Sequence, residues 1–411
     1  MTPDPLVSAA VADAHRREWA YVLAATVRVT RDLDLAEECV QDAYASALTA
    51  WRQSGVPGRP GAWLTTAARN RALDMLRRND TARRALPLLL SDPVEPELPD
   101  PDEIPDDRLR LIFTCCHPAL SAEAQVALTL RLLCGLSTAE VARAFLISEP
   151  TMAARITRAK KKIAGAGIPY RVPPRVELPA RVSAVCEVVY LLFTTGHTAP
   201  AGADLIRRDL VERAMDLARM LHTLLPAERD VTGLLALLLL TDARRDARLS
   251  AAGDLVLLAD QDRARWDGAA IREGVALVRQ ALRGRPPGRY ALMAAIAAVH
   301  DEAGSYDDTD WAEIVALYDL LVALWPSPVV ALNRAIAVGF ADGPAAGLAA
   351  LDVLATDPQL ATYAYLAAAR ADFLRRLGRA AAARTAYEEA LHLTENAAER
   401  RFLTTRLAEL G

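Results

Sequence analysis

Lysine is almost absent from this 411-residue chain, which contains only Lys160, Lys161 and Lys162. Aromatic residues are also few, at 5% of the sequence, and the formal net charge is −4. Such a composition gives no general basic surface for a polyanion such as nucleic acid. Any nucleic-acid site must therefore be local, and the single lysine cluster indicates where it lies.

Cysteine is sparse as well, and its number is odd. The five residues are Cys39, Cys115, Cys116, Cys134 and Cys186. An odd count in a long chain without an export signal argues against a disulfide framework. Cys115-Cys116-His117 suggests part of a metal site, but no second C-x-x-C or H-x-x-x-H group completes it. We therefore expect buried thiols, no metal and no cofactor.

Long apolar runs are also missing from the sequence. The apolar stretch from Leu234 to Leu240 is too short to cross a bilayer, and no apolar core follows basic residues near the N-terminus. We expect no signal peptide, no membrane span and a cytoplasmic location.

The lysines lie in a segment, 136–163, whose pattern predicts two short helices joined by a tight turn. Ser137 is placed to cap the first helix, and Glu140 can complete a capping box. Pro150 fits the first turn of a second helix that begins near Thr151. The segment therefore predicts a helix-turn-helix motif, which places its second helix in the major groove of DNA.

The second helix of this motif has two different faces. Apolar residues at helical spacing predict a packed face, made of Met152, Ile156, Ala159 and Ile163. Polar and basic residues predict an exposed face, made of Thr151, Arg155, Arg158 and Lys162. A solvated basic helix end, favoured by the helix dipole, is the alternative interpretation.

The distribution of charged residues and prolines along the chain indicates the domain boundaries. Residues 107–175 carry a net charge of +7, whereas residues 91–106 carry −7 and no basic residue. Six prolines in 86–106 predict an extended linker without packed structure. The predicted segments are an N-terminal domain at 8–85, the linker at 86–106, the helix-turn-helix domain at 107–168 and a C-terminal domain at 176–411.

The N-terminal domain contains two amphipathic helices of interest. Residues 34–51 place Val40, Ala43, Ala47 and Trp51 on one side and Asp34, Glu38, Gln41 and Asp42 on the other. An ordinary solvated face gives the same pattern. A loop at 52–60 then precedes an arginine-rich helix that runs from Gly61 to about Asn79. A basic helix face beside a flexible loop suits single-stranded or melted nucleic acid.

Three of these stretches together resemble a known family. They are DLAEECVQDAY, AWLTTAARNRALDMLRR and LSTAEVARAFLISEPTMAARITRAKKKI. Their order and the acidic linker are similar to regions two and four of the extracytoplasmic-function (ECF) group of bacterial sigma factors. The later motifs YLLFTTGHTA, LLADQDRARWD and AAIAAVHDEA resemble the subgroup with a large helical C-terminal extension. The resemblance covers nearly the whole chain and implies an all-α fold.

The resemblance also implies roles for individual residues. The acidic helix would dock on the β′ clamp helices of the RNA polymerase core through Asp34, Glu38, Gln41 and Asp42. The loop and the arginine-rich helix would melt the −10 promoter element through Trp63, Arg69, Asn70, Arg77 and Arg78. The second motif helix would read the −35 element through Thr151, Arg155 and Arg158, with Lys160, Lys161 and Lys162 on the DNA backbone. The β flap of the polymerase is a further expected partner.

The sequence of the C-terminal domain predicts a series of helices that are separated by proline or glycine. Two stretches, 329–355 and 364–395, resemble tetratricopeptide (TPR) units, because small residues fall where paired helices would cross. Gly343 and Gly378 are 35 residues apart, near the period of such repeats. We expect a TPR-like α-solenoid. The resemblance to the subgroup with a large C-terminal extension implies that this domain regulates the sigma factor in place of a separate anti-sigma factor.

Polar and aromatic residues of this domain could line a groove, but the sequence favours capping and packing as the role of most of them. They are Asp260, Asp262, Trp266, His300, Asp307, Asp308, Asp310, Trp311, Asn333 and Arg334.

Two other classes of protein share some of these features. A DNA-binding regulator with a metabolite-binding or enzymatic helical domain is one, but residues 176–411 show no nucleophile–base pair, phosphate loop or metal cluster. A dimeric repressor with the same helix-turn-helix is the other, and it would bind duplex DNA without polymerase. The sequence favours a sigma factor that has no catalytic activity of its own.

Overall fold

The computed structural model describes residues 5–84, 107–145, 147–174, 176–199, 201–283 and 286–410. The predicted linker at 86–106 lies outside these residues. The chain is 75% helical, which confirms the all-α prediction. It divides into two compact units, Met1–Val188 and Val189–Gly411.

The first unit is built from seven described helices and the start of an eighth. These are α1 (Pro5–Thr30), α2 (Leu33–Ser54), α3 (Pro60–Arg84), α4 (Asp107–Cys115), α5 (Ala122–Leu128), α6 (Thr138–Ala144), α7 (Glu149–Gly165) and α8 (Leu178–His197). A π-helical turn, Thr129–Leu133, follows α5. The last helix, α8, continues across the boundary between the two units.

Helices α1, α2 and α3 pack through apolar stripes, and that of α2 is the one that the sequence predicts. Val22 and Leu23 of α1 are fully buried, and so are Val40 and Ala47 of α2. Asp32 begins α2, because its carboxylate accepts hydrogen bonds from the backbone amides of residues 34 and 35. Because these apolar stripes are buried, the opposite faces of α2 and α3 are exposed to solvent.

The helix-turn-helix forms as predicted. Ser137 and Glu140 make the capping box of α6, and Ser148 caps α7 by accepting a hydrogen bond from the Thr151 amide. The four apolar residues predicted to pack, Met152, Ile156, Ala159 and Ile163, are all buried.

The stretch before the motif is not a regular α-helix up to Cys134. It ends in the π-helical turn, and Gly135 then takes a positive φ of 70°. The Leu136 amide donates to the Leu130 carbonyl at 3.1 Å, which closes the helix end. A Cβ at Gly135 would lie 2.8 Å from the His15 ring and 2.9 Å from the Trp19 ring. The close approach of α1 therefore requires glycine here.

The second unit contains ten further described helices. They are α9 (Arg208–Leu224), α10 (Arg229–Ala243), α11 (Gly268–Ala281), α12 (Arg289–Glu302), α13 (Trp311–Leu324), α14 (Pro328–Ala341), α15 (Pro344–Leu354), α16 (Ala364–Arg376), α17 (Ala380–Leu393) and α18 (Ala397–Ala408). Short 3₁₀ turns occur at Arg245–Ala247, Leu258–Asp260 and Arg263–Arg265. Two short strands, β1 (Ala201–Gly202) and β2 (Glu395–Asn396), pair in parallel.

The end of the second unit shows helix pairs where the sequence predicts repeats. Gly343 and Gly378, with φ of 96° and 72°, lie at the turns between α14 and α15 and between α16 and α17. A Cβ at Gly339 would lie 2.1 Å from the Phe373 ring, so the crossing of these helices depends on a residue without a side chain. The assignment to the TPR class stays a prediction.

Helix α8 is an apolar helix that the sequence pattern did not reveal. It is long and apolar enough to cross a membrane by length and composition, and it is the one such helix among the described residues. Core helices of soluble proteins satisfy the same criterion, so a single helix of this kind is weak evidence for a membrane span.

Candidate polymerase and DNA interfaces

The acidic face of α2 is largely exposed, but its members differ in their surroundings. Glu38 and Gln41 face solvent. Asp42 is half-exposed and accepts a hydrogen bond from Arg71 of α3 at 2.8 Å, so its charge is partly neutralised by a partner within the protein. Asp34 contacts Lys160 at 2.6 Å. Of the four predicted polymerase-binding residues, Glu38 and Gln41 are therefore the most accessible.

The predicted −10 residues lie along α3. Arg69, Asn70, Arg77 and Arg78 are exposed. Arg77 lies 3.7 Å from Asp74 on the same helix. Trp63 is half-buried and packs edge-to-face on Trp51, with ring centroids 5.7 Å apart. The structure thus places the four polar residues on solvent-facing positions and uses the tryptophan to anchor the start of the helix.

A cavity of about 560 Å³ lies between α1 and the start of α3. Its lining includes Glu18 and Tyr21 of α1, Arg59 of the loop, and Thr65 and Thr66 of α3. The residues include hydroxyls, a carboxylate, a guanidinium and an exposed aromatic ring, which together could stack on and hydrogen-bond a planar base. Sequence reasoning pointed to the loop but not to Glu18 or Tyr21, which belong to a different helix.

The predicted −35 residues lie on α7, and most of them face outward. Thr151, Arg158, Lys161 and Lys162 are exposed. Arg155 is half-buried and places its guanidinium 5.5 Å from the centre of the Phe145 ring. This face matches the helical spacing that the sequence predicts.

Lys160 behaves differently from the two lysines that follow it. Its side chain is only 11% exposed and contacts carboxylate oxygens of both Asp34 and Glu37. Burial alone would lower the pKa of Lys160, but the nearby carboxylates of Glu37 and Asp34 raise it above its ordinary value. Charged Lys160 therefore forms ion pairs within the protein, whereas Lys161 and Lys162 are exposed at the surface.

Glu37 is a residue that sequence reasoning missed. Its side chain is 6% exposed, and its carboxylate lies between Lys160 and Arg131, the latter at 2.8 Å. Its position three residues before Val40 places it beside the packed stripe of α2, and Lys160 lies four residues after Ile156 in the same way. This helical spacing indicates that Glu37 and Lys160 each border a packed face, but it does not identify the residue that each one contacts.

Other contacts join the same two parts of the first unit. The Trp19 indole of α1 donates to the Leu132 carbonyl at 3.0 Å. The Tyr170 hydroxyl donates to the Ala24 carbonyl at 2.9 Å. The helices α1 to α3 and the helix-turn-helix are therefore packed against each other in this structure.

The cysteines are buried thiols, as predicted. Burial raises the pKa of Cys39 and of Cys116 to about 11 in each case, which keeps both protonated at neutral pH. Over the described ranges, no group of three or more His, Cys, Asp or Glu side chains could hold a metal ion.

Several candidate groove residues of the second unit have local structural roles. Asp310 caps α13 by accepting a hydrogen bond from the Glu313 amide, and Asp262 caps a 3₁₀ turn. Asp308 accepts a hydrogen bond from Ser305, and Arg334 contacts Asp319. His300 and Trp311 pack edge-to-face. Capping and packing account for these residues, as the second interpretation of the sequence expected.

A buried acid, Asp301, is the most perturbed carboxylate of this unit that sequence reasoning did not select. Its side chain is fully buried and lies 3.4 Å from Arg244. Burial raises its pKa to about 7, and Arg244 and Arg263 oppose that rise. Burial likewise lowers the pKa of the adjacent His300 to about 4.

Comparison with known families assigns both halves of the first unit and part of the second. Residues 14–82 match Sigma-70 region 2, and residues 110–163 match Sigma-70, region 4. Residues 181–282 match a family of unknown function, DUF6596. An uncharacterised protein of Rhizobium meliloti (strain 1021) is 44% identical over 396 residues, which cover 95% of this chain and 93% of the relative.

No solved structure matches the chain. The two sigma-70 regions coincide with the α1–α3 bundle and the helix-turn-helix, in the order that a sigma factor requires, and the DUF6596 segment follows them. The chain therefore contains sigma-70 regions 2 and 4 followed by a DUF6596 segment, and this combination fits an ECF-like sigma factor with a C-terminal extension.

Proposed function

We propose that this protein directs core RNA polymerase to specific promoters and that its C-terminal extension regulates this activity in the cytoplasm. The observation that carries the proposal is the coincidence of the two sigma-70 regions with two solvent-facing cationic helix faces, on α3 and α7. Promoter recognition needs such faces, because phosphate contacts by arginine and lysine position a protein on DNA.

The geometry of each face supports a proposed division of labour. The accessible part of α2, with Glu38 and Gln41, supports docking on the β′ clamp helices of the core. Arg69, Asn70 and Arg78 support contact with the melted −10 element, next to the cavity that could hold a flipped base. On α7, Arg158 and the two exposed lysines support binding at the −35 element.

In vitro transcription with purified core enzyme on a genomic library tests the function. Addition of the full-length chain should start transcripts at a defined set of promoters that core alone does not use. Transcription that is the same with and without the chain on every template would refute the proposal. DNA binding that requires no polymerase would instead favour a repressor.

Regulation by the extension is tested by truncation. Helix α8 crosses the unit boundary, so the chain should end after Thr198, where α8 is complete. A change in promoter-dependent transcription, in either direction, supports regulation in cis. Circular dichroism of the truncated chain must first show that the first unit remains helical.

A further inference from the structure

The second unit contains a cavity of about 890 Å³ that the proposed promoter-binding roles do not use. Its walls come from the loop before α9 with the first turn of that helix, from the 3₁₀ turn Arg245–Ala247, from the segment 249–253 with Arg265, and from the start of α18. Small-molecule sites in proteins have volumes of about 300–1,000 Å³. The cavity is therefore large enough for a ligand of metabolite size.

The lining of this cavity is cationic, although the domain around it is acidic. Residues 176–411 contain 31 acidic and 25 basic side chains. The lining nevertheless has more arginines than aspartates: Arg207, Arg208, Arg245, Arg265 and Arg401 against Asp204, Asp209 and Asp246. A local excess of positive charge in a concave site attracts an anionic ligand.

The arginines of the lining keep donors that the protein does not use. A guanidinium has five N–H donors, and Arg208 contacts Asp246 through Nη2 alone, at 2.7 Å. Arg265 donates to the backbone carbonyl of Asp246 and forms no ion pair with any described carboxylate. Arg245 pairs with Asp242 through Nη2, whereas its buried Nη1 has no hydrogen-bond partner in the described part of the chain. The protein therefore neutralises these guanidinium groups only in part.

The start of α9 adds main-chain donors to the same wall. Arg207 is the N-cap residue of this helix, and its side chain makes no capping hydrogen bond. The first amides of a helix have no partner within the helix, and together with the helix dipole they favour an anion. Arg208 and Asp209 of this turn line the cavity. The first turn of α9 thus brings a guanidinium group and main-chain N–H groups to one wall.

Contacts between distant parts of the chain hold the cavity in shape. Asn396, which precedes α18, is fully buried and donates to two backbone carbonyls of the loop before α9, each at 3.0 Å. Arg401 of α18 contacts the Asp254 carboxylate at 3.1 Å and the Gly253 carbonyl at 2.9 Å. Two walls of the cavity are thereby attached to α18. A site that is formed before its ligand arrives loses little conformational freedom on binding.

The positions of the cations favour phosphate over carboxylate. Guanidinium groups reach the cavity from α9, from the 3₁₀ turns and from α18, so they surround it on several walls. A carboxylate presents two oxygens in one plane, whereas a phosphate presents oxygens in several directions and carries more charge. Arginine binds phosphate oxygens through paired N–H groups.

We propose that this cavity binds a small phosphorylated molecule. Leu205, Ile206 and Leu249 also line it, which provides apolar contacts for an organic group attached to the phosphate. The inference goes beyond promoter recognition, because every residue that carries it belongs to the second unit.

Calorimetric titration of the full-length chain with pyrophosphate, at constant ionic strength, tests the proposal. Pyrophosphate should bind at least about tenfold more tightly than citrate, which carries its charge on carboxylates. Arg208→Glu with Arg265→Glu should weaken pyrophosphate binding at least about tenfold, because two negative charges replace two cations of the lining. The matched control, Arg219→Glu with Arg370→Glu, reverses two cations outside the cavity and should bind as the wild type does.

Three results of this titration would overturn the proposal. They are no binding of pyrophosphate by the wild type up to about 10 mM, binding of citrate as tight as that of pyrophosphate, and an equal loss in the control variant. The exposed arginines of α3 also attract phosphate, so Arg69→Glu with Arg78→Glu is titrated as well. Loss of binding in that variant, with binding retained when the cavity is changed, would place the site in the first unit and refute the inference.

Chemical protection tests the same site on the unmodified protein, without any variant that must fold. Phenylglyoxal modifies accessible guanidinium groups, and peptide mass spectrometry measures the rate at each one. Pyrophosphate at about ten times its Kd should slow the modification of Arg208, Arg265 and Arg401 about tenfold, because the free site is then populated to only that fraction. Arg219 and Arg370 should react at an unchanged rate. Protection of none of the five, or equal protection of all, would contradict the proposal.

Discussion

Arg69 and Arg78 of α3, in the first unit, differ in their surroundings from most arginines of the second unit. In the second unit, most arginines of the described helices face a carboxylate: Arg219 contacts Glu273 at 2.9 Å, and Arg370 contacts Asp352 at 2.6 Å. In the first unit, Arg69 and Arg78 of α3 have no carboxylate within 4 Å among the described side chains. A cation that the fold already neutralises stabilises the fold, whereas one without a counter-ion is available to a polyanion.

Substitution of Asp301 should give the largest effect on the free energy of unfolding, because this acid is buried and pairs with Arg244. Its pKa is about 7 in the folded protein and near 3.8 when unfolded. The folded state therefore binds the extra proton between about pH 4 and pH 7, and the free energy of unfolding falls as pH rises through that window. Asp301→Asn removes this dependence and should be more stable than wild type at pH 8, by on the order of 2–4 kcal/mol.

Urea unfolding of both proteins at pH 5 and at pH 8 measures this difference. The gap between variant and wild type should widen from pH 5 to pH 8. A gap of the same size at both values would mean that Asp301 is ionised throughout, held by Arg244 and Arg263.

Charge reversal on α3 should give the next largest effect. Arg69→Glu with Arg78→Glu places two negative charges where phosphates are expected, and promoter-dependent transcription should fall about a hundredfold. The matched control is Arg219→Glu with Arg370→Glu in the second unit, which reverses two paired cations. If the control loses transcription to the same extent while remaining folded, the distinction between paired and unpaired arginines fails.

Loss of the two exposed lysines of α7 should have a smaller effect. Lys161→Ala with Lys162→Ala should weaken holoenzyme binding to promoter DNA about tenfold and reduce the slope of log affinity against log salt by about 2. Fluorescence anisotropy at several salt concentrations measures both quantities. An unchanged salt slope would show that these lysines do not contact phosphate.

The smallest effect is expected for a surface pair of the second unit. Arg219→Ala removes an exposed ion pair with Glu273 and should lower the free energy of unfolding by less than about 1 kcal/mol. Thermal unfolding of the full chain provides the measurement. A loss of several kcal/mol would show that the pair, although exposed, is needed for the packing of α9 on α11.

The sequence predicts much of the fold, since its strongest signals are local. Ser137 and Glu140 are three residues apart, and the buried stripe of α7 follows from helical spacing, so both were predictable and both are confirmed. The partner of Lys160 was not predictable, because Asp34 and Glu37 lie more than 120 residues earlier in the chain. Periodicity shows that a residue borders a packed face but not what packs there.

Two features of the backbone also escaped the sequence pattern. The π-helical turn at Thr129–Leu133 lies just before Gly135, which packs closely against His15 and Trp19 of a distant helix. Helix α8 (Leu178–His197) passes the length and composition criterion for a membrane span although Arg181 and Glu187 interrupt its apolar residues, so it shows no long continuous apolar run in the sequence. The roles of individual side chains at the polymerase and at the two promoter elements stay predictions.

The burial of every cysteine has a consequence for how the protein can sense its surroundings. Thiols react with peroxides and disulfides as thiolates, and they must be reached by the oxidant. All five sulfurs are enclosed, and for Cys39 and Cys116 a pKa of about 11 leaves almost no thiolate at neutral pH. The folded protein should therefore tolerate oxidants that modify exposed sulfur, and an oxidative signal would have to unfold part of the chain before it could modify these side chains.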